Sequence, residues 1–152
     1  MKPGNWSIRA LRESDLSEWL RLRKMLWDET PENDHRDEMV DVIEHPDTQC
    51  VFVADKGGGT LVGFLEVSIR PFVEDCETDH VGYLEGWFVE NNSRRQGIGA
   101  ELVNHAEKWA KQKGCSEIAS DAEIGNELSL NTHTALGYGV TSRLVHLRKV
   151  LN

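Results

Sequence analysis

The sequence predicts an α/β protein in which one mixed β-sheet carries helices on both faces. Three observations lead there. Segments at 6–11, 50–54, 60–69, 83–89 and 115–121 are short, apolar and rich in β-branched or aromatic residues, as strands are. Between them lie stretches whose apolar residues recur at three- and four-residue spacing, the mark of an amphipathic helix. The order is strand, two helices, a three-strand antiparallel meander, helix, strand, helix, strand, which is a layered mixed architecture.

Residues 6–11 read as the first strand. Asp15 suits a helix N-cap with Glu18 three positions on, and Leu16, Trp19, Leu20, Leu26 and Trp27 supply the apolar face that follows. Pro31 ends this helix. A second, over 36–44, turns Met39, Val40 and Ile43 inward. Strands at 50–54 and 60–69 flank a turn of three glycines, 57–59, and form a hairpin. An acidic loop spans 70–80. The strand ending at Val89 leads into a glycine-containing loop, then a helix with Leu102, Val103, Ala106, Trp109 and Ala110 on one side, stopped by Gly114. A strand at 115–121, a helix at 126–136 ending at Gly137, and an extended segment at 138–150 complete the chain. No repeat or linker interrupts it, so residues 1–152 read as a single domain.

Composition excludes several classes of function. Net charge is −9, from 26 acidic against 17 basic residues, which disfavours nucleic acid or an anionic membrane as partner. Three cysteines without a CxxC spacing, and six scattered histidines, indicate neither a disulfide framework nor a metal site. No apolar run reaches membrane-spanning length and no signal-peptide pattern opens the chain, so the expected location is the cytoplasm. The acid is unevenly placed. Between Asp28 and Asp47, nine carboxylates accompany one base, Arg36, and Glu74, Asp75, Glu77 and Asp79 form a second cluster. Such runs are solvated surface or a negative rim that concentrates a cationic substrate.

The stretch Arg94-Arg95-Gln96-Gly97-Ile98-Gly99 sits between a strand and a helix. Two glycines there allow close backbone approach, and the N–H groups of a first helical turn suit an anion such as a pyrophosphate. The adjacent arginines add charge-assisted donors. The Rossmann fingerprint fails because position 102 is Leu102, and no Gly-Lys-Ser/Thr ending marks a P-loop.

With loop and elements in this order, the chain resembles the GNAT family of acetyl-CoA-dependent N-acetyltransferases over essentially its whole length. The family's Arg/Gln-x-x-Gly-x-Gly/Ala loop is matched by Arg94, Gly97 and Gly99. The resemblance implies central strands that splay apart and a coenzyme A pyrophosphate on the loop formed by Arg94, Arg95, Gln96, Gly97, Ile98 and Gly99. It places the pantetheine arm along Phe88 and Val89, with the Val89 N–H as oxyanion donor. Asn126, then His133 and Gly137-Tyr138, match a second family feature and imply Asn126 beside the cofactor. Many members carry Tyr where this chain has His133, so the group that protonates the departing thiolate stays open.

Within the family, stretches 22–27, 66–70, 84–86, 119–121 and 133–138 are similar to the aminoglycoside 6′-N-acetyltransferases. That similarity implies Glu85 and Asp121 as the acidic active-site pair, Trp27 and Phe72 as walls of the acceptor cleft, no metal, and a homodimer joined through the C-terminal segments. Acetyl transfer needs a neutral amine, whereas a lysine-like amine has a pKa of about 10.4. The site must therefore bind an ammonium, remove its proton, and present the lone pair about 3 Å from the thioester carbon. Paired carboxylates suit that task, and an aromatic wall suits sugar rings bearing ammonium groups. Two other readings stay open on sequence: an acetyltransferase of polyamines, small amines or protein N-termini, and a non-catalytic acyl-CoA-binding module.

Overall fold

The computed structural model describes residues 5–152, which divide after Ser120 into two compact units. The first carries strands β1 (Ser7–Ala10), β2 (Gln49–Asp55), β3 (Leu61–Arg70), β4 (Val81–Val89) and β5 (Ile118–Ala119), and helices α1 (Leu16–Leu26), α2 (Glu32–Glu44) and α3 (Ile98–Gln112). The sheet runs in the order β1-β2-β3-β4-β5. Its first three pairings are antiparallel. The last is parallel and joins only Gly82 to Ile118 and Tyr83 to Ala119. β5 therefore meets β4 near its start, and the two central strands part beyond Tyr83.

Alternation along the strands places helices on both faces. Val51, Val53 and Phe64 join Trp19, Leu20, Leu22 and Met39 in one core beneath α1 and α2. Their intervening neighbours look the other way: the Phe52 ring lies 5.6 Å from that of His105 in α3. A Cβ at Gly63 would stand 3.5 Å from Leu102. α3 buries Ile98, Leu102, Val103, Ala106 and Ala110 on this face, the apolar side its periodicity predicts, with Trp109 only partly covered. Each fully buried aliphatic or aromatic side chain contributes roughly 1.5–3 kcal/mol of transfer free energy.

Local expectations are corrected in five places. α2 begins at Glu32, directly after Pro31, rather than at Arg36. Starting there, it turns His35 and Met39, four apart, into the core and leaves Val40 and Ile43 about half exposed. Asp15 precedes α1 but does not cap it with its side chain. Its carboxylate accepts from both Arg9 terminal nitrogens (2.7 and 2.9 Å) and from the Arg12 N–H. The Arg9 hydrogen bonds hold the Asp15 carboxyl below its ordinary value. Glu18 turns instead to Arg21 and to the Leu61 N–H, tying α1 to β3, and Arg21 likewise lowers its pKa. The strand expected over 115–121 contracts to the two residues of β5.

The second unit, Asp121–Asn152, contains α4 (Glu127–Ala135). Asn126 caps it, its side-chain oxygen accepting from the Ser129 N–H at 3.2 Å. The His133 and Tyr138 rings meet edge to face at 5.7 Å. The extended segment expected at 138–150 is assigned neither strand nor helix.

Candidate functional site

The loop leading into α3 has the backbone form that anion binding needs. Gly97 occupies the N-cap position at φ +85°, a left-handed conformation that favours glycine, and no side chain caps the helix. The first intrahelical hydrogen bond runs from the Glu101 N–H to the Gly97 carbonyl. The amides of Ile98, Gly99 and Ala100 thus have no partner within the helix, and the positive end of its dipole adds to their field. A Cβ at Gly97 would meet open space. The residue's need is conformational, and the region before the helix end is accessible. Arg94 and Arg95 are exposed beside it.

The strand entering this loop has its end turned outward. The Glu90 N–H donates to the Val62 carbonyl at 2.9 Å, so the Gly63–Val89 pair is a non-hydrogen-bonded one. The N–H and C=O of Val89 consequently point away from β3, toward the edge from which β5 has diverged. Arg94 Nε donates to that carbonyl at 2.9 Å, linking strand end to loop. An extended chain with amide groups, as in a pantetheine arm, can hydrogen-bond along such an edge. Uncapped amides, a left-handed glycine, basic side chains and an outward strand end together fit coenzyme A.

Four residues back, β4 changes phase. Glu66 pairs with Gly86 but Val67 pairs with Leu84, which leaves Glu85 as the extra residue of a bulge. The effect on side-chain direction is visible in the contacts. A Cβ at Gly82 would lie 3.0 Å from Ala110 on the α3 side, whereas one at Gly86 would collide with the Trp27 ring, 2.4 Å away on the α1 side. Residues four apart in an unbroken strand share a face. The bulge sends Tyr83, Glu85, Gly86 and Phe88 all to the α1–α2 face. There the Glu85 carboxylate receives the Ser68 hydroxyl and a two-pronged contact from Arg70, at 2.9 Å from Nε and 2.6 Å from Nη2. The Arg70 guanidinium also lies over the Tyr83 ring, 3.6 Å from its centroid.

Glu85 borders an open cleft of about 460 Å³ lined by Trp27, Asp37, Glu38, Asp41, Glu66 and Arg23, among others. Its floor is a buried polar network. Arg23, 1 % exposed, binds Glu66, Glu38 and His35 Nδ1, and its guanidinium stacks 4.7 Å from the Trp27 ring centroid. Trp19 Nε1 donates to the same Glu66 oxygen at 3.0 Å. Burial pushes the Glu66 carboxyl above its ordinary value, against the pull of Arg23. Trp27 is thereby pressed between Arg23, Phe64 and the bare backbone of Gly86. The result is a rigid aromatic wall beside several carboxylates and one committed cation, a surface suited to a polycation.

Of the residues the sequence points to, Trp27 and Glu85 come together in this cleft, and Arg94 to Gly99 form the loop at the far end of the same strand. Phe88 faces Phe64 at 6.4 Å between ring centroids. Phe72 lies past the end of β3 and is 75 % exposed, outside the lining of the cleft. Asp121, exposed, begins the second unit, to which Asn126 and His133 also belong. Nothing in the linear pattern assigns roles to Ser68 or Arg70, whose meeting with Glu85 depends on strand register. Arg23 and Glu66 do leave a signal: a charge four residues after Trp19 on a core-facing side, and another in the middle of an apolar strand. Among the described residues no cluster of three or more metal-binding side chains is present.

A family model described as the acetyltransferase (GNAT) family matches residues 19–138. Aminoglycoside N(6′)-acetyltransferase type 1 of Serratia marcescens is 42 % identical over 138 residues, covering 90 % of this chain and 94 % of the relative. The enzyme of the same description from Klebsiella aerogenes is 36 % identical, covering 95 % and 96 %. Among solved structures, AAC(6′)-Iy in complex with the bisubstrate analogue CoA-S-monomethyl-acetylneamine matches with a TM-score of 0.90. It is 33 % identical and covers 96 % of this chain and 99 % of that one.

Proposed function

The chain belongs to the GNAT acetyltransferase family, and we propose that it moves an acetyl group from acetyl-CoA to the 6′-amine of aminoglycoside antibiotics, conferring resistance. One observation carries the reading: a single strand, β4, ends in the anion-binding loop and bears, four residues earlier, the bulged Glu85 of an acidic cleft. Cofactor site and cation site are thus a few residues apart on one rigid element. The names of the relatives and the bisubstrate analogue held by one of them support the same acceptor.

Acetyl-CoA supplies the acetyl group as an activated thioester. The backbone of the loop Arg94, Arg95, Gln96, Gly97, Ile98 and Gly99 holds the pyrophosphate, with Phe88, Val89 and Asn126 along the rest of the cofactor. The outward N–H of Val89 donates to the thioester oxygen as negative charge develops there. Trp27 and Glu85 hold the acceptor in a ternary complex, and the family resemblance adds Phe72 and Asp121 as acceptor residues. Glu85 binds the 6′-ammonium, and one of its protons passes to solvent through water. Nitrogen then attacks directly: the N–C bond forms, the C–S bond breaks, the nitrogen gives up a second proton, and the thiolate leaves and takes one up.

The protein works as a homodimer joined through residues 138–150, a segment whose Val145 and Leu147 are 77 % and 90 % exposed. It is a cytoplasmic protein. Its three cysteines are free, as suits a reducing compartment. No described helix is long and apolar enough to cross a membrane. The net charge of −9 speaks against nucleic acid as partner.

The deciding assay follows coenzyme A release with a panel of amines. Turnover is expected with aminoglycosides that carry a 6′-amine and not with one carrying a 6′-hydroxyl. Activity confined to polyamines or peptides would overturn the acceptor assignment, and tight acetyl-CoA binding without turnover would reduce the protein to a binding module.

A further inference from the structure

Two arginines bind carboxylates that border the acidic cleft, and they are held in opposite ways. Arg23 is 1 % exposed and is fixed by Glu66, Glu38, His35 and the Trp27 face. Removing it would strand buried charge. Arg70 stands at the last position of β3 with 42 % of its side chain exposed, and its partner Glu85 is 31 % exposed. Water screens an ion pair that open and competes for both partners, although its two-pronged geometry strengthens it.

Glu85 is therefore already neutralised when an acceptor arrives, by a cation of the same charge as the ammonium it is to bind. We propose that Arg70 is the resident counter-cation of Glu85, a residue that sets acceptor affinity and that an incoming ammonium displaces. The proposal rests on Glu85 being an acceptor-binding residue, as read above.

Three features make the exchange feasible. Arg70 has a second support, since its guanidinium lies over the Tyr83 ring and keeps that contact when the Glu85 contact opens. Ser68 stays hydrogen-bonded to Glu85 Oε2, so the carboxylate keeps its orientation. The exchange is nearly neutral for a single charge, because one cation leaves as another enters. An acceptor with several ammonium groups also gains contacts at Asp37 and Asp41, which border the same cleft and which Arg23 does not bind. Displacement of Arg70 thus raises KM for every acceptor alike, and a sugar bearing several ammonium groups offsets that cost through its other contacts.

The test compares Arg70→Gln and Arg70→Lys with the parent on two acceptors, kanamycin and the monocation methyl 6-amino-6-deoxyglucoside, under saturating acetyl-CoA. Arg70→Gln is expected to lower KM for the monoamine about fivefold, the size of an exposed ion pair. It should lower KM for kanamycin by a similar factor, because the same contact is opened for either acceptor. Arg70→Lys, which restores a cation without the fork, should recover part of the parent's KM on both. A fall in kcat on both acceptors with KM unmoved would show that Arg70 stays in place to position Glu85, and would overturn displacement. An unchanged KM in both variants would do the same. Glu85→Gln separates the premise from the proposal. If turnover and KM survive that change, Glu85 is not the acceptor's residue. If they collapse while Arg70→Gln leaves KM unchanged, only the displacement idea fails.

Discussion

Gly97 and Gly99 stand two positions apart in one loop and answer to different constraints. Gly97 needs its left-handed backbone, where an L side chain costs about 1–2 kcal/mol. Gly99 has ordinary helical backbone, and its added Cβ would rest 3.4 Å from the Trp87 indole. Gly97→Ala is therefore expected to weaken coenzyme A binding by roughly tenfold as the loop relaxes. Gly99→Ala should stay within about 0.5 kcal/mol of the parent. Isothermal titration with coenzyme A reads both, and equal losses would mean that the glycines serve only close approach. The loop was legible in sequence because its chemistry demands residue types, glycine and arginine, at fixed spacing. Glu85 was legible as a residue type in a promising strand. Its direction was not, and neither were its partners Ser68 and Arg70, since both depend on which residue of β4 opposes which of β3.

At the scale of elements, the end of α1 and β4 are fitted to each other where the Trp27 ring meets Gly86. A methyl group there would overlap the ring, 2.4 Å from its nearest carbon, and Trp27 cannot retreat because Arg23 and Phe64 back it. Gly86→Ala is expected to destabilise the fold by about 1–3 kcal/mol. It should also raise KM for the aminoglycoside more than KM for acetyl-CoA, because the wall that moves borders the acceptor cleft. Thermal melts and two-substrate kinetics would measure this, and a selective rise in the acetyl-CoA KM would contradict it. Helical periodicity located α1 and α3 well, since both present a broad apolar face to the sheet. It placed Met39 of α2 correctly but misjudged the rest of that acid-rich helix, whose second buried position, His35, is set by tertiary packing rather than by hydrophobic period.

At the scale of the whole molecule, the order of strands and helices follows from the sequence with few errors, and the failures concentrate toward the C-terminus. β5 shrinks to two residues, and residues 138–150, apolar enough to suggest a strand, are assigned none. A strand takes its backbone hydrogen bonds from a neighbour, and the linear sequence does not say whether that neighbour lies in the same chain. The proposed homodimer places the partner in a second copy. Light scattering after size exclusion is expected to give twice the 17.2 kDa chain mass. A double substitution, Val145→Asp with Leu147→Asp, should shift it toward the monomer. A parent protein that runs as a monomer at micromolar concentration would rule this out.

The single extra residue at Glu85 also sets how this strand can change over time. Because the bulge reverses the alternation midway along β4, Glu85 and Gly86 share a face while Val89 turns its amide outward. Exchanging a side chain perturbs one contact. Deleting one residue near 85 would restore a regular strand and rotate everything on one side of the cut, taking the carboxylate, the Trp27 notch or the outward amide out of place together. The strand is thus free to drift in composition and locked in length.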